Sequence, residues 1–446
     1  MKYNDTYMNR YTKVYMIVAM FFLGNVYAFS QVGKRFPSEK TTMKDKVTGR
    51  TITVLTTSPG DDSKIYQTHP QWTYDGKYII FMSNRDTAYK KSKVYAVDVK
   101  SGVIVQLTEG ETPAGSLNIA RLSNKLYYSS GGRGESLKLM EMDLDALFRD
   151  SEKGVSKKQS AYERLVGTLP DNLRESGGFT LDANEKFAYV GVGRIDALPK
   201  NDTSTRRAAV EPIPGGIRAI NIATGEITRV IDVPYRMGHI QANPFKAGEI
   251  LFCHESGGDT PQRMWMVNAD GSGYKAVYKE RPDEWVSHET WVDANTIYFN
   301  VKPSTFYTKL TPNVADFRKL GEGVFTKDAF TLPTGIFAIN IRNDNVKVLG
   351  AVDKGHGYWH SNGTSNGKWA MGDNFEGDLY LINLRTGEQT ILTTGNMMVF
   401  KGAPDHELYH PHATFRPDGR QLLYQSGVYS GGKNYDLMLV DIPENN

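Results

Sequence analysis

One cysteine, Cys253, in 446 residues excludes an intrachain disulfide framework and any cysteine-rich zinc module. The chain also lacks an excess of charge of one sign. Lys and Arg total 53 against 50 Asp and Glu, leaving a formal charge of +3 with no basic stripe, so a nucleic-acid partner is not expected. After the N-terminal segment there is no apolar run long enough for a membrane helix. What the chain does have is 39% apolar residues, 43 Gly, 25 Tyr and 19 Phe. That is ample material for a core and favours many short strands and turns over a helical bundle. The length would allow two or three domains.

The N-terminus reads as a targeting segment. Lys2, Arg10 and Lys13 precede an apolar run from Val14 to Leu23, and Ala28 or Ser30 offers a small residue for cleavage. The run is too short to span a bilayer and fits a signal-peptide core, and no cysteine follows it to carry a lipid. Residues 1–30 are therefore expected to be a signal peptide. The mature chain, residues 31–446, is expected to be secreted or periplasmic without a membrane anchor.

Two patterns alternate along the mature chain. In one, a polar start and an aromatic lead through a turn into an apolar run, as in His69-Pro-Gln-Trp-Thr-Tyr-Asp-Gly-Lys-Tyr-Ile-Ile-Phe81. In the other, a strand reaches a Ser-Gly or Thr-Gly turn before a second strand, as in Val94 to Leu107. Each reads as a hairpin. The first recurs near Leu117, Ser176, Gln241, His288, His360 and His412, giving seven copies of a four-stranded unit. Insertions are expected at 194–214, 301–333 and 397–409, and a helix around 144–149. The seventh copy lacks its last strand, whereas residues 47–55 resemble the Thr-Gly-Glu-Gln-Thr-Ile-Leu that ends copy six. The expectation is a single all-β domain, a seven-bladed β-propeller closed by pairing of that N-terminal strand with the last blade, which leaves no open edge between the ends.

The histidines narrow the function. Alignment of the copies on their Asp-Gly-type turns places His69, His288, His360 and His412 at one repeat position, with His239 and His410 two residues earlier. Residues two apart on a strand share a side, so six of the nine histidines are expected at one mouth of the central channel. A lone histidine at a strand start is ordinarily a satisfied polar residue; six in one register suit a transition metal. His410 and His412 lie on one side of a strand, His288 adds a third imidazole, and Glu407 could add an oxygen. Gly363-Thr-Ser-Asn-Gly367 matches a Gly-x-Ser-x-Gly pattern, but it occupies a hairpin turn with no following helix, so Ser365 is not read as a nucleophile.

Several segments resemble the oligogalacturonate lyase family: Gly238-His-Ile-Gln-Ala-Asn-Pro-Phe245, Gln262-Arg-Met-Trp265, His288-Glu-Thr-Trp291, His360-Ser-Asn with Gly372-Asp373, and His410-Pro-His412 with Pro417-Asp-Gly419. The resemblance is strongest from about residue 215 onward. It implies a seven-bladed propeller holding a divalent metal, manganese by the family's habit, with zinc and calcium as alternatives. His288, His410 and His412 match the family's three metal-binding histidines, and Glu407 stands where the family has a glutamine. His239 matches its catalytic base and Arg218 its active-site arginine, with Arg263 as the other candidate. Arg263, His360 and His69 are expected to contact substrate. The implied substrate is an acidic oligo- or polysaccharide, either oligogalacturonate or another uronate glycan such as rhamnogalacturonan or ulvan. A signal peptide departs from the family's cytoplasmic pattern. The competing reading is a non-catalytic propeller that binds a glycan or an envelope protein.

These residue types suit uronate cleavage by β-elimination. Loss of the C5 proton beside the C6 carboxylate builds an enolate-like charge. A metal and an arginine can stabilise it, and a neutral histidine can take the proton.

Overall fold

The structure, a computed structural model of the whole chain, describes residues 32–85, 92–110, 117–131, 136–194, 213–255, 262–281, 284–303, 335–351, 357–374, 376–396 and 410–443. The expected signal peptide, Glu407 and most of the three expected insertions lie outside the described residues. Seven antiparallel sheets follow one another along the chain, a seven-bladed propeller. Blade two carries the helix Leu144–Glu152, which Asp143 caps by accepting from the Ala146 N–H at 2.9 Å.

Blades hold together face to face through their apolar residues. Between blades five and six, for example, Val292, Tyr298 and Ile336 pack with Tyr358, Ala370 and Tyr380, all buried. The same arrangement recurs around the ring, so most blades contribute to two cores and are not stable units by themselves.

At the seam between the chain ends, Thr51–Val54 pairs antiparallel with Asp436–Asp441, placing Val54 opposite Met438. Thr41–Lys44 then adds a fifth strand outside it. The turn between these two N-terminal strands is built like the outer turn of blade six. Asp45 Oδ1 accepts from the N–H groups of Val47 and Thr48, as Asn383 Oδ1 does from Arg385 and Thr386. The likeness between residues 47–55 and the end of copy six is this shared turn chemistry. A second N-terminal piece, Arg35–Phe36, lies outside Ile104–Gln106 of blade one.

Blade one departs from the repeat. Its inner strand is interrupted: Asp62–Lys64 pairs with Phe81–Ser83, and Trp72 bridges to Ile79, but residues 65–70 leave the ladder between them. Gln67 O instead accepts from Asn362 Nδ2 of blade six at 3.2 Å. This detour carries Tyr66 in among the histidines of other blades and takes His69 away from them.

Candidate active site

The inner strands carry a shared irregularity. In blade four the ladder slips between Gly238 and Gln241, and in blade five between Ser287 and Thr290, so that two residues oppose one. The first residue of each bulge is a histidine with positive φ: 50° at His239 and 54° at His288. His412 of blade seven has 48°. Among the described non-glycine residues only Glu185 and Asp344 share that sign. A non-glycine residue held there costs about 1–3 kcal/mol, which concentrates strain where the imidazoles are aimed.

The turn hydrogen bonds also correct the sequence register. Asn243 N–H bonds Glu249 O, Val292 bonds Thr296, Thr364 bonds Trp369 and Arg416 bonds Gln421. Counting back four residues from each donor gives His239, His288, His360 and His412. His239 therefore sits in the same register as the others, not two residues earlier. The longer Asn243–Glu249 turn sets its glycine directly before the next strand, and alignment on that glycine shifted the count.

Four imidazoles form a cluster. His360 is central, its ring centroid 4.2 Å from that of His288, 4.5 Å from His412 and 5.0 Å from His410. Asp373 anchors it, with Oδ2 3.0 Å and Oδ1 3.1 Å from His360 Nδ1, leaving Nε2 as the second ring nitrogen. A carboxylate behind a ring nitrogen is the usual support for a metal-binding histidine. His360 is 1% exposed, which does not suit the substrate contact expected for it and suits a place among metal-binding groups. His410 Nδ1 is buried with no hydrogen-bond partner among the described residues. Burial, then the charge of the surrounding rings, pushes His288, His410 and His412 well below the ordinary histidine range. Neutral imidazoles with an orphaned buried nitrogen fit a first-row transition metal.

Beside this cluster, His239 faces carboxylates and an arginine. Its Nδ1 is 3.4 Å from Glu289 Oε1, and its Nε2 is 4.0 Å from Glu255 Oε2. Glu289, the second residue of the blade-five bulge, is fully buried, and its other oxygen accepts from Arg263 Nε at 3.1 Å. Gln241 donates to the Glu289 carbonyl at 2.8 Å. Burial raises the Glu289 carboxyl, but Arg263 above all outweighs it and holds the group below its usual range. Burial likewise lowers His239, opposed by Glu289, so the imidazole stays neutral and able to accept a proton.

Tyr66 completes the group. Its ring meets His239 and His412 edge-on at 5.4 and 5.1 Å, and its hydroxyl lies 3.2 Å from His288 Nδ1. Glu289, Asp373 and Tyr66 were not singled out from sequence. The first two stand inside the quoted His-Glu-Thr-Trp and Gly-Asp motifs, a usable signal; Tyr66 gives none, because a channel crossing leaves no mark on the repeat.

Two expected site residues lie elsewhere. Arg218 is on the third strand of blade three, donating to Asp232 Oδ1 at 2.8 Å, and Arg263 is the arginine beside His239. Arg218 is tied instead to Asp232 on the neighbouring fourth strand, within its own blade. His69 uses both ring nitrogens, on Thr68 Oγ1 at 2.8 Å and Phe179 O at 3.0 Å. It lines a separate cavity of about 200 Å³ with Arg121, Trp291, Asn362 and Arg416. Ser365 is exposed in its turn, as expected.

Comparison with known proteins identifies the family. The chain is 26% identical over 410 residues to the oligogalacturonate lyase of Dickeya dadantii (strain 3937), covering 89% of this chain and 95% of that one. It is 25% identical over the same length to the oligogalacturonide lyase of Pectobacterium atrosepticum, with the same coverage. A solved oligogalacturonate lyase in complex with manganese shares the fold at a TM-score of 0.72 and 22% identity, over 93% of this chain and 98% of that one. The Vibrio parahaemolyticus oligogalacturonate lyase does so at 0.71 and 19%, over 93% and 99%. The family profile described as oligogalacturonate lyase matches residues 30–446, and this chain belongs to that family.

Proposed function

We propose that this protein is a metal-dependent lyase that cleaves uronate glycans by β-elimination, with pectin-derived oligogalacturonate as the first substrate to test, and that it acts outside the cytoplasm. The observation that carries the reading is the juxtaposition of a neutral histidine, backed by Glu289 and Arg263, with a cluster of imidazoles on neighbouring blades. The N-terminal charge and apolar pattern supports export.

His288, His410 and His412 would hold the metal, with His360 as a further imidazole and Glu407 adding an oxygen; manganese is favoured by the relative solved with it. What a divalent cation supplies at such a set is Lewis-acid stabilisation of charge on the substrate carboxylate. His239 takes the C5 proton on Nε2, because Nδ1 faces Glu289. The C5–H electrons form the C4–C5 double bond as the C4–O4 bond breaks. Glu289 holds the ring and stabilises its protonated form, and Arg263 keeps Glu289 ionised. The Tyr66 hydroxyl is available to hydrogen-bond the departing O4.

The test is the ultraviolet absorbance of the unsaturated uronate product, screened with manganese on oligogalacturonate, rhamnogalacturonan and ulvan fragments. His239→Ala should lose about 10²- to 10⁴-fold in turnover while keeping its metal. A near-normal rate with metal retained would overturn the assignment of the base.

A further inference from the structure

Next to the imidazole cluster lies a second set of ligand atoms of different chemical character. The chain's single cysteine is here: Cys253, fully buried on the second strand of blade four, donates from Sγ to Glu255 Oε2 at 3.7 Å. The same carboxylate oxygen is 4.0 Å from His239 Nε2. One ligand atom from each of the three residues lies within 4.8 Å of the other two. We infer that His239, Cys253 and Glu255 form a site for a thiophilic divalent cation, zinc or cadmium, whose binding disables the enzyme by occupying Nε2 of His239.

The spacing supports this. Zinc bonds of about 2.0–2.3 Å in tetrahedral array put ligand atoms roughly 3.4–3.7 Å apart, so the trio needs only small side-chain adjustments to close on one ion. Cys253 and Glu255 are two residues apart on one chain segment and project to one side, and His239 meets them from the bulge of the adjacent strand. Gly238 makes the room: a Cβ there would lie 3.0 Å from Glu255 Oε2 and 3.1 Å from Cys253 Sγ. The side chains of His239 and Glu255 are each 22% exposed, so an ion has an approach although the thiol is covered.

Charge and softness set the selectivity. Glu255 and Glu289 against Arg263 leave one negative charge, and Arg263 stands closer to Glu289, at 3.1 Å, than to Glu255, at 3.9 Å. When the metal–sulfur bond forms, the thiol proton leaves to solvent, and the divalent cation then neutralises the set. A sulfur ligand favours zinc and cadmium over manganese, whereas the imidazole cluster contains no sulfur. One ion is therefore required by the chemistry and another, on adjacent atoms, is harmful to it. The inhibitory half of this inference rests on His239 being the base; the binding half does not.

The experiment titrates cadmium chloride into the manganese-loaded protein, following the thiolate-to-cadmium ultraviolet charge-transfer band and lyase activity together. The band should rise to one equivalent while activity falls in step, and excess zinc should remove the band without restoring activity. Cys253→Ala and Cys253→Ser should keep the basal rate, show no band, and need at least about tenfold more cadmium for the same inhibition. Absence of the band in the unmodified protein would overturn the site, and equal cadmium sensitivity in whichever cysteine variant folds would overturn its inhibitory role. Because the band requires no substrate, a band without inhibition would leave the site standing and fault His239 as the base.

Discussion

His239 Nδ1 and Glu289 Oε1 face each other across the boundary between blades four and five at 3.4 Å, and both are buried atoms without a hydrogen-bond partner among the described residues. In the proposed reaction the neutral ring would carry its one proton on Nδ1, toward Glu289, and leave Nε2 to accept. Uptake of the substrate's proton on Nε2 would then give His239 the positive charge that Glu289 is placed to stabilise, so the interaction would strengthen as the reaction proceeds. Catalytic contacts that are long in the free enzyme commonly tighten in this way.

Glu289→Gln keeps the shape of that side chain and removes its charge. The expected result is a loss on the order of 10²-fold in kcat with KM little changed and bound metal retained. Steady-state kinetics with elemental analysis checks it; an unchanged kcat would mean that Glu289 serves Arg263 alone.

For the imidazole cluster, His410→Ala or His412→Ala should remove bound metal and leave the propeller folded, since both side chains point into the channel and not into an inter-blade core. Asp373→Asn should weaken metal binding by about 10–100-fold through His360. Metal content by elemental analysis and folding by circular dichroism decide both, and full metal occupancy in all three variants would remove the assignment.

Deletion of residues 47–55 should uncover the edge of Asp436–Asp441 and take Val54 and Leu55 from the cores that span the seam. Aggregation or loss of a single cooperative unfolding transition is expected, measured by size-exclusion chromatography and thermal denaturation. A monomeric, equally stable deletion variant would contradict the role of this pairing.

The seam also carries a pH dependence. Burial, then the nearby Asp62, Glu39 and Asp61 carboxylates, raise Asp436 to about 8 against the opposing effect of Arg85. An acid with a raised folded-state value holds its proton in the fold after the unfolded chain has lost it. Its contribution therefore favours the fold at low pH, declines as pH rises from about 4, and is gone above about 8. Asp436→Asn should flatten this decline and raise the Tm most at pH values above 8, as read by thermal denaturation across pH. An unchanged slope between about pH 4 and about pH 8 would exclude Asp436 as its source.

The repeat arithmetic was enough to reach seven blades, because each hairpin writes its own turn chemistry and apolar alternation into contiguous residues. The motifs that carry the family resemblance pointed to His239, His288, His410 and His412, whose rings the structure gathers together, for the same reason: each lies in a short run of sequence. The sequence did not determine which residues meet across blades. Glu289 reaches His239 because a bulge turns it toward the neighbouring sheet, Asp373 supports His360 from the next strand, and Tyr66 arrives only because residues 65–70 leave their ladder. Arg218 and His69 were misplaced for a related reason. Periodicity gives a side chain its position within a blade, but the course of each strand and the packing between blades decide what it meets: Arg263, just before a third strand, reaches the carboxylates beside His239, whereas Arg218, within one, pairs with Asp232. Local chemistry thus specified the units and most of the imidazoles; the distances between blades decided which side chains surround His239.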